Sequence, residues 1–540
     1  MSDANRTDIS RRSLLAALGM TGAGVAVGSV LRAPDAGAEP GTRGGAASAV
    51  RAAGSDPVDV PAVSGLHLEF GNDARYEMTV SWHALQSVNN PRVLVAKEGQ
   101  AHEKTVRADI ESYTDAKSGQ TVYAQHARLT ELRPDTDYVY LAVHDGAAPQ
   151  FGSFRTAPHG RVAFTFTSFG DQGTPTVGRV YTPPPGVTIS NPPYVNDNLG
   201  SPAAGDTTAG VERVAPLLHL FNGDLCYANL ANDRVRTWQD FWNNNTRSAR
   251  NRPWMPCAGN HENELGNGPI GYGAYQTYFS LPEASGQTDT TRRLWYAFTV
   301  GAVRFISLNN DDVCYQDGGN SYVRGYSNGA QKAWLEQELQ TTRADRDIDW
   351  IVVCMHQVAI STANNFNGAD LGIRQEWLPL FDEYGVDLVV CGHEHHYERT
   401  FAIRGQQDNE TLTPIPQGSD ASVIDTETGS VHMIIGGGGT SAPSNGLLFN
   451  PAQCRVIVSV GPPDPTTGKR PPNYVYEPDA PWSASRDQAQ AYGFAAFEVN
   501  PGKKAGGTTT MRVTYYEVTG SYGQLTPFET FTLKRRRRDG

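Results

Sequence analysis

The amino-acid sequence predicts an N-terminal all-β sandwich followed by an α/β domain with a β core flanked by helices. Three observations predict it: short alternating segments with regular turns between Pro61 and Pro158, apolar runs interleaved with helix-length stretches from Val162 onward, and a return to strand patterns after Val431. In the first part, residues 65–70, 77–82, 92–96, 123–129 and 138–143 alternate apolar and polar side chains and are separated by turn residues, the pattern of a sandwich. Residues 154–158 read as its last strand running into a linker.

In the second part, 162–166, 217–221, 350–354 and 386–390 are apolar runs of strand length, with 253–258 a less regular fifth. Helix-like stretches 233–243, 330–345 and 371–384 lie between them, and such alternation builds a layered α/β fold. Trp334, Leu335 and Leu339 share one helical face and read as core. Residues 174–215, with Pro183-Pro184-Pro185, read as a long loop, and 431–435, 492–499 and 508–518 as strands of a second sheet.

The chain has 540 residues, enough for more than one domain, and a formal net charge of -12, which disfavours general nucleic-acid or membrane-surface binding. The basic run Lys534-Arg535-Arg536-Arg537-Arg538 reads as a solvated, frayed tail over 534–540. Ser10-Arg11-Arg12-Ser13-Leu14-Leu15, the moderately apolar stretch to Leu31 and Ala36-Gly37-Ala38 form a twin-arginine export signal over 1–38, followed by a flexible Gly/Ala/Ser/Arg-rich lead over 39–57. The expected destination is secreted or cell-envelope. No later segment reaches about 18 consecutive apolar residues, so no membrane insertion is expected once the signal is removed. Six cysteines are too few for a disulfide framework in this length, although their even number permits pairing. Cys226, Cys257, Cys354 and Cys391 lack Cys-x-x-Cys spacing and read as small buried hydrophobes, not zinc thiolates.

The chemistry lies in five short segments: Gly170-Asp171-Gln172-Gly173, Gly223-Asp224-Leu225-Cys226-Tyr227, Gly259-Asn260-His261-Glu262, Met355-His356 and Gly392-His393-Glu394-His395. A strand that ends in glycine and then a ligand-type side chain puts that side chain at the carboxyl edge of a sheet, where open α/β folds build their sites. Carboxylates, imidazoles and an amide are what a two-metal hydrolase needs: a carboxylate able to bridge both ions, further O and N ligands, and open positions for water and phosphate.

In this order the five segments resemble the purple acid phosphatases, a branch of the calcineurin-like metallophosphoesterases. The resemblance spans nearly all of the chain after the signal. Leu132-Arg133-Pro134-Asp135-Thr136-Asp137-Tyr138-Val139-Tyr140 with Trp82 resembles a fibronectin type III-like module over 58–158, and 160–533 would be a four-layer metallophosphoesterase domain. The resemblance implies Asp171, Asp224, Tyr227 and His395 on a ferric ion, and Asp224, Asn260, His356 and His393 on a divalent iron, zinc or manganese. A phenolate with carboxylates suits a hard trivalent ion, and imidazole with an amide oxygen suits a divalent one. Tyr227 and the opening Asp171-Gln172-Gly173, in place of Asp-x-His, separate this branch from most other calcineurin-like enzymes.

The implied activity is hydrolysis of small phosphate monoesters by a metal-activated hydroxide, with no phosphoenzyme. The rivals are a phosphodiesterase or nucleotidase of the same superfamily, and a non-catalytic envelope-binding protein. His261 is the candidate to bond the phosphoryl oxygens or protonate the leaving group. Many relatives carry a second histidine after the Met-His segment, but residues 357–391 contain none. Asn364, Asn365, Asn367 and His396 are the possible partial substitutes.

Overall fold

The computed structural model describes residues 60–100, 104–175, 179–180, 194–195, 199–316, 318–319, 321–520 and 523–540. The expected export signal, the flexible lead and Pro183-Pro184-Pro185 lie outside the described residues. Two four-stranded antiparallel sheets form the N-terminal sandwich. One runs Ser64–Phe70, Met78–Ala84, Thr121–Leu129, Asp109–Thr114, and the other Lys104–Arg107, Arg92–Lys97, Asp137–Val143, Gln150–Arg155. Alternation puts Trp82, Tyr138 and Tyr140 between the sheets, each at most 1% exposed. The Tyr138 hydroxyl accepts from the Arg133 N–H at 2.9 Å, closing the turn before its own strand. The Tyr140 hydroxyl donates to the Arg250 carbonyl at 2.9 Å, and this bond reaches the next domain.

From Phe164 on, two seven-stranded mixed sheets make the core. The first runs Trp254–Pro256, Leu218–Phe221, Phe164–Phe169, Gly493–Asn500, Thr508–Gly520, Gln524–Arg536, Val423–Asp425. The second runs Tyr296–Val300, Val303–Ser307, Trp350–Cys354, Leu388–Cys391, Val431–Ile435, Tyr397–Thr400, Ser483–Arg486. Strands Trp254–Pro256, Leu218–Phe221 and Phe164–Phe169 are mutually parallel, as are the four from Val303–Ser307 to Val431–Ile435. Continuous apolar runs such as Trp350–Cys354, buried at every position, are what parallel strands covered on both faces require. Phe166 meets Phe305 edge-on at 5.1 Å between the two sheets.

Helices cover the sheets. Arg234–Ala249 begins where the Asp233 carboxylate accepts the Arg236 N–H at 2.9 Å, and it packs on sandwich strand Ser64–Phe70. Ala330–Ala344 is tied to strand Val303–Ser307 by an Arg304–Glu338 ion pair of 2.7 Å. None of the helices among the described residues is long and apolar enough to cross a membrane.

Three sequence expectations are corrected. Part of the expected 174–215 loop is a helix, Ala203–Val214, packed on Arg234–Ala249 and on strand Thr508–Gly520. The expected 371–384 helix is two, Leu371–Glu376 and Leu378–Tyr384, broken at Trp377 because Pro379 has no N–H to continue the first. The basic run is no frayed tail: it extends strand Gln524–Arg536, and Arg535 is buried with its guanidinium 2.5 Å from Asp387. Asp387 also takes Arg343 at 2.8 Å and the Ile351 N–H at 2.8 Å, so the arginine neutralises a carboxylate that the core already holds. All six cysteines are buried and unpaired. The strands Lys104–Arg107, Asp109–Thr114, Tyr296–Val300 and Val303–Ser307 lay outside the sequence expectations.

Candidate metal centre

All five segments leave the carboxyl ends of parallel strands, three from the first sheet and two from the second, and meet where the sheets face each other. The backbone is bent to bring them in. Asp171, Asp224, Tyr227 and His393 all have φ between 52° and 69°, a left-handed conformation that side-chain-bearing residues adopt rarely and that clusters at functional sites. The flanking glycines make room: a Cβ on Gly392 would lie 2.2 Å from Asp171 Oδ2, and one on Gly259 would lie 2.4 Å from Asp224 Oδ1. Both carboxylates press against backbone that only glycine leaves open.

The donor atoms form two groups. In the first, His395 Nε2 lies 3.0 Å from the Tyr227 hydroxyl and 3.2 Å from Asp171 Oδ1, and Tyr227 lies 3.1 Å from the same oxygen. In the second, His356 Nε2 lies 2.9 Å from Asn260 Oδ1, 3.0 Å from Asp224 Oδ2 and 3.2 Å from His393 Nδ1. His393 Nδ1 is also 3.0 Å from Asn260 Oδ1. Asp224, His356 and His393 satisfy a three-donor metal arrangement by themselves.

Tautomer logic gives these distances their meaning. Each imidazole has an oxygen acceptor on its far nitrogen: the Asn222 carbonyl at 2.7 Å from His356 Nδ1, the Ala442 carbonyl at 2.6 Å from His395 Nδ1, and Gln316 Oε1 at 3.0 Å from His393 Nε2. The N–H therefore points outward in each neutral ring, and the lone pair points into the cluster. In the first group the Tyr227 hydroxyl donates to Asp171 Oδ1 beside His395 Nε2; in the second the lone pairs face only carboxylate, amide and other imidazole lone pairs. Such a set is repulsive without a cation between its members and is the second-sphere pattern of metal-bound histidine.

Without a cation the same electrostatics appear as displaced ionisations. Burial lowers the His356 imidazolium, but the Asp224 carboxylate outweighs it and pushes the group up to about 10. Burial raises the Asp224 carboxyl, yet the His356 and His261 rings hold it below its usual range. Tyr227 is driven well above the ordinary phenol by burial and by the Asp171 and Asp224 charges, so only a strongly charged cation would make it a phenolate here.

His261 sits beside the second group, its Nε2 3.9 Å from Asp224 Oδ2 and its Nδ1 2.8 Å from Asn229 Oδ1. Its side chain is 20% exposed, whereas those of Asp171, Asp224, His356 and His395 are at most 6% exposed, so the cluster opens past His261. Of the possible substitutes for the missing histidine, His396 is buried against Ser444 and Glu398, and the Asn367 amide donates to the His393 carbonyl. Asn364 and Asn365 are exposed.

Several supporting residues were missed in the sequence. Glu262 lies inside the third segment, yet its role is not visible there: its buried carboxylate accepts the backbone N–H groups of Asp224, Leu225 and Gly259, each at 2.8 Å. It clamps two of the five segments together. Glu262→Gln turns at least one of those acceptors into a donor, so the variant is expected to lose about 1–3 kcal/mol of stability and part of its metal. Urea unfolding and metal analysis check this, and a variant with wild-type values for both would show that the clamp is dispensable. Gln172 exchanges amide hydrogen bonds with Asn245 at 2.7 and 3.2 Å, fastening the first segment to helix Arg234–Ala249.

Comparison with known proteins gives this architecture a class. Residues 206–397 match the family model described as Calcineurin-like phosphoesterase, which makes the chain a metallophosphoesterase. Residues 63–156 match Purple acid Phosphatase, N-terminal domain. An uncharacterized protein of Mycobacterium tuberculosis is 59% identical over 477 residues, 88% of each chain. Fe(3+)-Zn(2+) purple acid phosphatase 12 of Arabidopsis thaliana is 26% identical, over 72% of this chain and 74% of that one. The solved structure of a purple acid phosphatase from yellow lupin (Lupinus luteus) seeds superposes with a TM-score of 0.63 at 18% identity, covering 89% of this chain and 75% of that chain. The chain belongs to the purple acid phosphatase family.

Proposed function

We propose that the protein is an exported acid phosphatase that hydrolyses phosphate monoesters at a dinuclear centre. One metal is held by Asp171, Asp224, Tyr227 and His395, and the other by Asp224, Asn260, His356 and His393. The observation that carries this reading is the set of three imidazoles, each donating outward and aiming a lone pair into the cluster. Ferric iron suits the phenolate site and a divalent iron, zinc or manganese the imidazole-amide site, in keeping with the Fe(3+)-Zn(2+) designation of the Arabidopsis relative. When bound, such a pair supplies Lewis acidity toward the phosphoryl oxygens and lowers the pKa of water.

The remaining work falls to the chain. His261, at the open side, hydrogen-bonds a phosphoryl oxygen or delivers a proton to the departing alkoxide, and Asn229 on Nδ1 fixes the ring so that Nε2 faces the cluster. Export is supported by Arg11, Arg12 and the apolar stretch that follows them. The fibronectin type III-like module serves as a packing domain, seated on helix Arg234–Ala249.

Metal analysis and a visible spectrum of the purified protein test the assignment. The expected result is iron plus a second metal, with a tyrosinate-to-iron band that disappears in Tyr227→Phe. Protein isolated from its native host without iron and without the band would refute the iron-tyrosinate centre. Turnover of a monoester set against a diester at acidic and neutral pH separates the phosphatase from a phosphodiesterase.

A further inference from the structure

We propose that Asn367 and Gln316 form a hydrogen-bonded relay that locks His393 in the tautomer able to bind a metal, and that this relay sets how tightly the imidazole-amide site holds its divalent ion. The inference rests on the dinuclear reading above and adds to that site two positioning residues outside its donor set.

His393 differs from the other two imidazoles of the cluster. His356 and His395 turn Nε2 inward and donate from Nδ1 to backbone carbonyls, which can only accept. His393 is reversed: its Nδ1 lies 3.0 Å from Asn260 Oδ1 and 3.2 Å from His356 Nε2, and its Nε2 meets a side chain, Gln316, at 3.0 Å. A glutamine amide can offer its oxygen or its NH2 group at such a place, and the two choices have opposite results. The oxygen accepts from Nε2–H and leaves a lone pair on Nδ1. The NH2 group donates to Nε2 and puts the ring proton on Nδ1, where it blocks the ligand position.

A circle of contacts fixes the choice. The His393 carbonyl can only accept, so Asn367 turns Nδ2 toward it, at 2.7 Å. The Asn367 oxygen then points the other way and lies 3.4 Å from Gln316 Nε2. With its nitrogen on Asn367, Gln316 turns Oε1 to the His393 ring. The circle begins and ends on His393, and one backbone carbonyl decides the direction of every donor in it. The backbone on either side is held separately. The buried Asp370 carboxylate accepts the Tyr315 and Gln316 N–H groups at 2.9 and 3.2 Å, and the Arg455 guanidinium donates to the Asn367 carbonyl at 3.3 Å. Beyond it, the Gly368 N–H donates to buried Glu394 at 2.6 Å. Both amides are partly exposed, so a Gln316 released by Asn367 is free to turn over. The relay also gives Asn367 a role other than substitute for the missing histidine, since both ends of its amide are engaged.

Competition with a zinc chelator on the purified protein measures the second site, and the tyrosinate-to-iron band reports the first site in the same sample. Gln316→Leu is expected to weaken Zn2+ binding about 10–100-fold with the band unchanged. Asn367→Leu removes only the orienting contact and is expected to weaken it about fivefold. Gln316→Glu presents two equivalent oxygens and has no wrong orientation. It should bind Zn2+ at least as tightly as wild type, and Asn367→Leu added to it should change nothing. An Asn367→Leu effect that vanishes on the Gln316→Glu background marks an orienting residue, whereas a merely structural role would persist there. Gln316→Leu with wild-type Zn2+ affinity, or an Asn367→Leu effect of equal size on both backgrounds, overturns the relay. If Zn2+ binding follows the expected pattern in a protein that shows no iron band or turns over no monoester, the relay stands and the iron-tyrosinate or the phosphatase reading falls.

Discussion

Asp224→Asn is expected to lower kcat/KM for a phosphate monoester by on the order of 10³-fold and to reduce bound metal from two ions toward one or none. The substitution keeps the shape and can keep an oxygen for the His261 N–H, which Asp224 Oδ1 accepts at 2.8 Å. What it removes is charge. In the proposed centre a trivalent and a divalent ion are opposed by two carboxylates and one phenolate, because the three imidazoles enter neutral. Losing one of three anions from a site this buried raises the electrostatic cost of holding both ions far more than at a surface. The amide also makes a poor bridge between two cations. Metal content by elemental analysis, turnover and urea unfolding on the same preparation separate this from misfolding. A folded Asp224→Asn protein with two metals and turnover within tenfold of wild type would remove Asp224 from the centre.

The outline of this site was legible because the pattern that makes it is local. An apolar run, a glycine and then Asp171, Asp224 or His393 states within about eight residues that a strand ends and a polar side chain turns inward. Strand edges moved by only a few residues, as when 162–166 became Phe164–Phe169. What escaped is what depends on distant partners. Nothing near Arg535 says that Asp387, 148 residues earlier, awaits it in the core, so a cationic terminus read as tail became buried strand. Glu262 is an ordinary acid in the sequence, and its role exists only once the N–H groups of Asp224 and Leu225 arrive from another strand. Helix Ala203–Val214 was hidden for a different reason: its face is Ala, Thr, Gly and Val, too weakly apolar to stand out within a Pro- and Gly-rich stretch. The break at Trp377, by contrast, was available in Pro379 and could have been read.

The sandwich meets the catalytic domain at buried imidazoles whose protonation burial opposes in the folded state, and this sets a second large effect, on stability in acid. His83 and His126 are buried in the sheet Ser64–Phe70, Met78–Ala84, Thr121–Leu129 at the face that meets the catalytic domain. Neither His83 nitrogen has a hydrogen-bond partner among the described residues; the ring is edge-on to Tyr278 at 5.2 Å and lies against Gly65. Burial, with a smaller contribution from His67, lowers its pKa from 6.5 to about 3. His126 Nδ1 lies 2.8 Å from Ser81 Oγ and its Nε2 3.0 Å from the Thr277 carbonyl, and Ser81 Oγ lies 2.9 Å from a Glu69 carboxylate oxygen. Burial lowers His126 to about 4, with Arg293 and His67 acting in the same direction and Glu69 and Glu111 against it. Both folded values lie below the unfolded one, so the unfolded chain binds these protons first. Stability from the neutral rings is complete above about pH 7 and is lost as pH falls through 6.5, by about 2 kcal/mol per ring at pH 5. Buried Glu264, Asp311 and Asp370, raised by burial to about 7, 6 and 6, act oppositely, because acid relieves them. The whole-protein profile therefore sums both signs, and the informative quantity is a difference. His83→Leu removes one titrating ring without stranding a hydrogen-bond partner, and between pH 6.5 and 4 its stability relative to wild type should rise by about 3 kcal/mol in all, the slope growing toward about 1.4 kcal/mol per pH unit of acidification. Urea midpoints of both proteins across that range measure it, and parallel profiles would mean that His83 is already protonated, or already exposed, in the folded protein.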